Sequence, residues 1–242
     1  MGKNTFLQRM FKRIKKLLII LFVAHLIYIV VLKWIDPPIT ITQVASVIEG
    51  HGLKRDYIPM QDISPHARLA VIASEDKLFP GHSGFDVKSI EKVITQRSKK
   101  AGRMRGASTI SQQVAKNVFL WQGRSWIRKG IEAYFTFMIE KIWGKERILE
   151  VYLNVAEMGS GIFGIEAASQ EYFNKPAKKL SRKEAAMIAA ALPNPKTYIV
   201  KPPSRYVSQR YLWIMSQMHN LENKPEIELL IAEEKKVVSR ED

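Results

Sequence analysis

The fold and the candidate site are decided by two segments, Glu75-Asp76-Lys77-Leu78-Phe79-Pro80-Gly81-His82-Ser83-Gly84-Phe85-Asp86 and Gly106-Ala107-Ser108-Thr109-Ile110-Ser111-Gln112-Gln113-Val114-Ala115-Lys116-Asn117. The first segment places a Glu-Asp pair at the end of an apolar helical run, beside a turn rich in Gly, Pro and His. The second segment gathers hydroxyls, two carboxamides and a lysine at the start of another helix. Together they offer a candidate proton acceptor and a set of donors suited to an anionic, hydroxyl-rich ligand.

Length and composition limit the architecture. The 242 residues suffice for one medium-sized domain with a good core or for two small ones, and 46% of them are hydrophobic. The chain contains no cysteine, which excludes a disulfide framework and thiolate chemistry. The formal charge of +15 indicates a polyanionic partner, a phospholipid surface or a phosphorylated substrate, and composition alone does not choose among them.

A basic N-terminal tail precedes a long apolar run. The run 17–35 is apolar apart from His25 and Lys33, and as a helix it would span roughly 28 Å, close to the hydrocarbon thickness of a bilayer. A cleaved signal peptide is the alternative, but no small-residue cleavage site follows, and Lys33-Trp34-Ile35-Asp36-Pro37-Pro38 is typical of an interfacial stop. We therefore expect an uncleaved transmembrane helix.

The basic flank also predicts the orientation of the chain. By the positive-inside rule, residues 1–16 form a cytoplasmic basic tail, 17–35 the transmembrane helix, 36–60 a linker and the start of the ectodomain, and 61–242 the ectodomain proper. A domain outside the cytoplasm argues against a nucleic-acid partner.

The spacing of apolar residues beyond the membrane run predicts one mostly α-helical domain without internal repeats. Helices are expected at 65–76, 86–99, 108–119, 126–143, 145–156, 162–173, 181–192 and 206–221. Ser181 and Glu184 form a capping-box signature at the start of the last but one of these helices. Minor strands are expected within 41–53 and 58–63.

Basic residues dominate the middle of the chain. Between Glu91 and Glu132 no acidic residue occurs, whereas ten basic ones do: Lys92, Arg97, Lys99, Lys100, Arg103, Arg105, Lys116, Arg124, Arg128 and Lys129. The cluster 97–105 is either a solvated basic face or a loop that rests on anionic lipid. The last four cations fall on or near predicted helices around a carboxylate, where they would suit a pyrophosphate. The interspersed aromatic segments 118–121 and 126–127 fit either a surface in the headgroup region or ordinary core packing.

Glu75 is the candidate general base. The preceding run 67–74 is largely apolar, so partial burial would raise the pKa of Glu75 toward the working pH. A surface carboxylate or a helix cap is the alternative interpretation. We expect Asp76, His82 and Asp86 to fix the turn by hydrogen bonds, because their spacing with Glu75 fits no familiar metal site.

Glu132 is the second candidate carboxylate. Arg128 precedes it by one helical turn, which is compatible with an ordinary ion pair, whereas the apolar neighbours at 131, 134 and 135 favour a buried, substrate-facing role. Two helix-borne carboxylates facing a sugar cleft are also what a glycosidase needs. Hydrolysis of a glycosidic bond is therefore one of the functions that these two carboxylates could serve.

Two short motifs are coincidental. Gly159-Ser160-Gly161-Ile162-Phe163-Gly164 matches the dinucleotide-binding glycine pattern, but a helix rather than a strand is predicted before it, so we interpret it as an interhelical turn. Ser89-Ile90-Glu91-Lys92 matches the Ser-x-x-Lys motif of penicillin-binding transpeptidases, but no Lys-Thr-Gly partner occurs and the chain is too short for that domain.

The two opening segments closely resemble the first two motifs of the peptidoglycan glycosyltransferases (glycosyltransferase family 51), the enzymes that polymerise lipid II. Arg128-Lys129-Gly130-Ile131-Glu132-Ala133, ending in Glu140, is similar to the third motif, 145–168 to the fourth and 180–198 to the fifth. Gly130 and Thr136 depart mildly from the pattern, because helix formers are commoner there. The short remainder of the chain resembles the monofunctional members, which lack a transpeptidase domain.

The resemblance implies a lysozyme-like helical fold with a smaller membrane-apposed lobe, and an inverting transfer that releases undecaprenyl diphosphate. Glu75 would deprotonate the 4-hydroxyl of the acceptor sugar as it attacks the anomeric carbon of the donor. Lys116 and Arg124, with Arg128 and Lys129 nearby, would hold the pyrophosphate. Glu132 would organise those cations and the donor. The other candidate substrate-binding residues are Asp76, Ser108, Thr109, Gln112, Gln113 and Asn117.

The resemblance also implies the partners of the protein, its cellular location and its cofactor requirement. The expected partners are lipid II, the growing glycan strand, membrane lipids and other cell-wall synthesis proteins, at a bacterial inner (plasma) membrane with the N-terminus in the cytoplasm and the catalytic domain in the periplasm. No cofactor is required and no set of metal ligands is visible, although a divalent cation could assist. A lytic glycosidase and a non-catalytic membrane-anchored scaffold for cell-wall assembly are the alternatives.

Overall fold

The computed structural model describes residues 2–87, 91, 108–123 and 125–232. Four sequence predictions lie wholly or largely outside these residues: the helix at 86–99, the Ser-x-x-Lys motif, the basic cluster 97–105 and the role of Arg124. The chain divides into two compact units, Met1–Pro37 and Pro38–Asp242.

The first unit is a single long helix, α1, which runs Gly2–Val31. Its segment Leu7–Val31 contains an 18-residue window with a mean hydropathy of 2.4 and is long and apolar enough to cross a membrane. The helix begins well before the predicted start at residue 17, because the basic tail contains no helix breaker. It also ends before the predicted limit at residue 35, since the chain tightens into a turn in which the backbone nitrogen of Trp34 donates to the carbonyl oxygen of Val31 at 3.1 Å.

The second unit is mostly α-helical, which confirms the prediction from apolar spacing. Among the residues that the structure describes, its helices are α2 Ile41–Ile48, α3 Pro65–Glu75, α4 Ile110–Phe119, α5 Trp126–Ile142, α6 Lys145–Val155, α7 Ile165–Phe173, α8 Arg182–Ala191, α9 Arg205–Leu221 and α10 Pro225–Ile231. Short 3-10 turns lie at Met60–Asp62, Phe79–Gly81 and Ala177–Lys179. Helix α5 passes without a break through Gly130 and Thr136, where the sequence departs from its family pattern.

The strands predicted within 41–53 and 58–63 are wrong. Residues 41–48 form α2 because Thr40 and Gln43 build a capping box: the Gln43 nitrogen donates to Thr40 Oγ1 at 3.2 Å, and the Thr40 nitrogen donates to Gln43 Oε1 at 3.1 Å. The second segment contains the 3-10 turn Met60–Asp62. The strand that does form, β1, runs Lys54–Arg55, just beyond the first predicted segment.

A small three-stranded sheet has the order β1-β3-β2. Strand β3, Ile162–Phe163, pairs in parallel with β1 and antiparallel with β2, Glu157–Gly159. The glycine-rich segment expected as an interhelical turn is therefore a β-hairpin between α6 and α7. Its turn needs glycine at position 161, because φ there is +70° and a Cβ atom would lie 2.1 Å from the carbonyl oxygen of His51.

Helix α3 lies at the centre of the second unit. It begins at a Ser64 cap, whose Oγ accepts from the His66 nitrogen at 3.1 Å, with Pro65 at the first helical position. Every residue from 67 to 73 is buried, and α8, α9 and α10 pack against the helix. Because the helix is buried over these residues, its last residue, Glu75, lies at the edge of the buried core, where its side chain is partly exposed.

The turn after α3 is tied to the start of α4. Asp76 Oδ2 accepts a hydrogen bond from the Ile110 nitrogen at 3.0 Å, and His82 Nε2 lies 3.0 Å from the same carboxylate. The Gly84 nitrogen donates to His82 Nδ1 at 3.1 Å, so the ring proton resides on Nε2. Gly84 has φ +88°, and a Cβ atom there would lie 2.8 Å from Thr136 Cγ2 of α5. Asp76 and His82 thus hold the ends of α3 and α4 side by side.

Candidate active site

Glu75 is partly exposed at the end of α3 and receives two hydrogen bonds. Gln113 Nε2, on α4, donates to Glu75 Oε2 at 2.8 Å, and Ser74 Oγ donates to Oε1 at 3.3 Å. Burial raises the pKa of Glu75 above its ordinary value, while the two donors and the charge of Arg210 oppose the rise. A carboxylate with a raised pKa beside a cavity is suited to accept a proton.

Two cavities are lined by residues that are hydrogen-bonded to each other, Glu75 in the first and Gln113 in the second. The first, about 500 Å³ and here called the Glu75 cavity, is also lined by Lys77, Ser108 and Thr109. The second, about 300 Å³ and here called the Lys116 cavity, is lined by Gln113, Lys116, Asn117 and Tyr152. The hydrogen bond between Gln113 and Glu75 joins residues of the two linings, so a ligand that spans both cavities would pass the carboxylate.

Lys116 lies among four other charged side chains. Burial lowers the pKa of Lys116, and the charges of Arg128 and Lys129 act in the same direction. The charges of Glu132 and Glu75 oppose this shift. A bound anion would offset both the burial of the ammonium group and the repulsion among the cations. The arrangement therefore favours a diphosphate or a similar anion at this point.

Glu132 is buried, with 3% of its surface exposed, and joins two cations. Arg128 Nη1 donates to Glu132 Oε2 at 3.0 Å, and Lys129 Nζ donates to Oε1. The ion pair expected from the sequence is present and the carboxylate is buried, whereas its substrate-facing role stays a prediction. Within the part of the chain that the structure describes, Arg128 Nε is buried without a hydrogen-bond partner.

Several candidate substrate-binding residues use their polar atoms inside the protein. Thr109 and Gln112 form the capping box of α4, and Thr109 Oγ1 donates to the Gly84 carbonyl oxygen at 2.7 Å. Asp76 is engaged with Ile110 and His82, although it also lines the Glu75 cavity. Ser108 and Asn117 line the Glu75 and Lys116 cavities respectively.

The two aromatic segments of the basic region differ in their packing and in their exposure to solvent. Phe119 stacks on Phe135 with ring centroids 4.4 Å apart, which is ordinary packing between α4 and α5. Trp126 and Ile127, at the start of α5, are 90% and 76% exposed. Core packing therefore explains residues 118–120, whereas it does not explain Trp121, which is 47% exposed, or the second segment.

Sequence reasoning gave no role to two residues near Glu75. Tyr152 Oη, on α6, donates to Gln113 Oε1 at 3.3 Å. Arg210, on α9, lies 4.0 Å from the ring centroid of Trp213, and Lys77 Nζ lies 4.4 Å from the same centroid. The helices α6 and α9 are remote from Glu75 in sequence, so local spacing carried no signal for either residue.

Comparisons with known proteins identify a family model and several relatives that match most of the chain. The family model described as transglycosylase matches residues 42–219. The biosynthetic peptidoglycan transglycosylase of Escherichia coli strain Crooks is 58% identical over 170 residues, which cover 70% of each chain. The proteins of the same name from Shigella boydii serotype 4 and Escherichia coli O139:H28 match with the same identity and coverage.

Proposed function

Because the chain belongs to the transglycosylase family and is a peptidoglycan glycosyltransferase, we propose that it polymerises lipid II into glycan strands with release of undecaprenyl diphosphate. The observation that carries this proposal is that Glu75 lines one cavity and is hydrogen-bonded to Gln113, which lines a second cavity together with Lys116. Transfer of a sugar from a diphosphate requires a proton acceptor for the attacking hydroxyl and positive charge for the leaving group.

Glu75 is the general base of the proposed reaction. It takes the proton of the acceptor 4-hydroxyl while that oxygen forms a bond to the anomeric carbon of the donor strand. The bond between the anomeric carbon and the diphosphate oxygen breaks, and its electron pair leaves with undecaprenyl diphosphate. Because the nucleophile enters opposite the leaving group, the configuration inverts. The raised pKa of Glu75 makes the carboxylate a stronger proton acceptor than an exposed glutamate.

Lys116, Arg128 and Lys129 stabilise the leaving diphosphate. Burial of Lys116 and its repulsion from the other two cations are offset when an anion binds, so the interaction strengthens as charge develops on the diphosphate. The buried, unpaired Nε of Arg128 supplies a further donor among the described residues. Arg124 joins this group by its place in the sequence and lies outside the described residues.

Glu132 orients the cations rather than transferring a proton. Its two oxygens already accept hydrogen bonds from Arg128 and Lys129, which fixes both cations at the Lys116 side of the site. The rival glycosidase mechanism needs a second carboxylate that acts as acid, nucleophile or base. A carboxylate paired with two cations is poorly suited to protonate a leaving group, so the arrangement favours the synthase.

The membrane is the proposed location of the reaction. Helix α1 would cross the inner membrane with the basic tail in the cytoplasm, and the exposed Trp126 and Ile127 would contact lipid headgroups. The chain has no cysteine, so single cysteines introduced at Gly2 and Asn223 report topology directly. A membrane-impermeant thiol reagent applied outside the inner membrane should label only the second.

No cofactor is part of the proposed reaction, because side chains meet the charge of the leaving group. Across residues 2–87, 91, 108–123 and 125–232, no group of three or more His, Cys, Asp or Glu side chains is placed to hold a metal ion. The rate of polymerisation in EDTA and in added Mg²⁺ tests this point.

Other cell-wall synthesis proteins are proposed partners, and co-purification from membranes tests them.

The decisive experiment for this function uses the purified full chain with labelled lipid II. A synthase converts lipid II into a polymer that muramidase digests to disaccharide-peptide units, and it leaves preformed glycan intact. Cleavage of preformed glycan without polymerisation would establish the glycosidase instead. Failure to consume lipid II in every detergent and metal condition would favour the scaffold.

A further inference from the structure

Three side chains from different helices form a chain of hydrogen bonds that ends on Glu75. We propose that Tyr152 is a positioning residue that donates a hydrogen bond to Gln113 and thereby keeps the amide N–H of Gln113 directed at Glu75. This inference depends on the proposed role of Glu75 as the general base and deepens it, because it names the residue that sets the orientation of the base's partner.

The distances define the direction of the chain. Tyr152 Oη lies 3.3 Å from Gln113 Oε1, and Gln113 Nε2 lies 2.8 Å from Glu75 Oε2. A carboxamide has one accepting end and one donating end, so a donor on Oε1 leaves Nε2 for the carboxylate. The reversed amide would place Oε1 against Glu75 Oε2, where two acceptors repel each other unless the carboxyl group is protonated.

The hydroxyl of Tyr152 keeps its proton, and so remains a hydrogen-bond donor, over the pH range in which the enzyme works. Its side chain is 1% exposed, and burial together with the negative charge of Glu75 raises the pKa of Tyr152 well above its ordinary value. The phenol therefore keeps its proton, and the hydroxyl stays a donor. Residues 148–149 and 151–155 of α6 are all buried, so the ring is fixed. Gln113, in contrast, lines a cavity and is partly exposed.

The consequence concerns the charge state of Glu75. A donor on the carboxylate favours its ionised form and counteracts burial. Among the described residues, the other charged groups around Glu75 are Asp76 beside it, Lys116 from α4 and Arg210 from α9, and the same cavity is also lined by Lys77, Asp86 and Lys224. None of these is altered by removing the hydroxyl of Tyr152, so a change in the titration of the base reports on the Gln113 contact.

The experiment measures the polymerisation rate on lipid II as a function of pH for the full chain and for Tyr152→Phe. We expect the midpoint of the acidic limb to move up by about half a unit to one unit, because a hydrogen bond to a charged group is weakened. We expect the rate on the alkaline plateau to fall less than about threefold. An unchanged midpoint would overturn the role of Tyr152.

Tyr172→Phe is the matched control. Tyr172 is a half-buried tyrosine whose hydroxyl donates to the Met158 carbonyl oxygen at 3.1 Å, so this variant removes a comparable hydrogen bond without touching the base. Its acidic limb should coincide with that of the wild type. A shift equal to that of Tyr152→Phe would show that general loosening of the fold causes the effect, which would also overturn the proposal.

A double-variant cycle tests whether Tyr152 acts through Gln113. Gln113→Ala alone should move the acidic limb at least as far as Tyr152→Phe, and adding Tyr152→Phe to it should move the limb no further. An additional shift in the double variant would contradict action through Gln113. If Tyr152→Phe does not fold, 4-fluorophenylalanine at position 152 fills the same space without donating and should give the same shift.

The outcomes separate this inference from the proposed function. A wild-type protein that does not polymerise lipid II at any pH would refute the function and the inference together. An active wild type with an unchanged limb in Tyr152→Phe would refute only the role of Tyr152.

Discussion

The carboxylate of Asp76 accepts a hydrogen bond from the backbone nitrogen of Ile110 at 3.0 Å, so the residue after the proposed base closes the first turn of the helix that carries Gln113 and Lys116. This contact links the position of the base to the position of the cations. A loss of the contact would therefore affect the geometry of both halves of the site.

We expect Asp76→Ala to lower the free energy of unfolding by about 1–3 kcal/mol, because the buried Ile110 nitrogen and the His82 ring lose their acceptor. Denaturant titration of the full chain in detergent measures the change. Asp62→Ala is the control, since Asp62 makes an exposed ion pair with Lys178 at 3.1 Å worth less than about 1 kcal/mol. Equal losses in the two variants would contradict the structural role of Asp76.

The raised pKa of Glu75 predicts a dependence of stability on pH. The folded protein holds the Glu75 proton more tightly than the unfolded chain does, so the full contribution is present below the unfolded pKa and is lost as pH rises through the folded pKa. Glu75→Gln should therefore gain stability relative to the wild type with rising pH, by about 1.4 kcal/mol per unit of pKa shift. A stability difference that stays constant from acid to neutral pH would contradict this.

Lys116→Ala should slow the use of lipid-linked diphosphate by about a hundredfold to a thousandfold, because the developing charge loses a partly buried cationic donor. Binding of undecorated glycan, which carries no diphosphate, should change far less. Steady-state polymerisation and glycan binding give the two values. Lys178→Ala, on the exposed surface, is the control, and equal losses in both assays for Lys116→Ala would count against its role.

Glu132→Gln should slow polymerisation while the midpoint of the acidic limb stays where the wild type has it. The variant loses the negative charge that orders Arg128 and Lys129, but Glu75 is still the titrating base. The pH dependence of the initial rate measures both quantities. Disappearance of the acidic limb in Glu132→Gln would assign the base to Glu132 and revive the glycosidase mechanism.

The mostly helical fold could be predicted from the spacing of apolar residues, because α3 to α9 are long enough for their periodicity to be distinctive. The prediction failed where elements are short. Helix α2 is decided by the reciprocal hydrogen bonds of Thr40 and Gln43, and the hairpin at 157–163 by the close approach of Gly161 to His51. Neither the capping hydrogen bonds nor the close backbone approach produces a periodic pattern in the sequence.

The residues of the candidate site likewise fall into those that the sequence indicated and those that it did not. Glu75, Gln113 and Lys116 lie in or near two segments whose composition already indicated acid–base and anion chemistry. Tyr152 and Arg210 come from α6 and α9, and only the packing of these helices brings them to Glu75. Long-range contacts of this kind are set by tertiary structure, so local sequence patterns do not report them.

The most direct test of the central claim, that Glu75 is the base of lipid II polymerisation, compares the wild type with Glu75→Gln. Initial rates on labelled lipid II and the unfolding transition are measured on the same preparations, with Glu171→Gln as a control at an exposed ion pair with Lys54. We expect Glu75→Gln to lose about a hundredfold to ten-thousandfold in rate and to unfold no more easily than the wild type, while Glu171→Gln keeps full activity. A folded Glu75→Gln protein with near-normal polymerisation would contradict the claim.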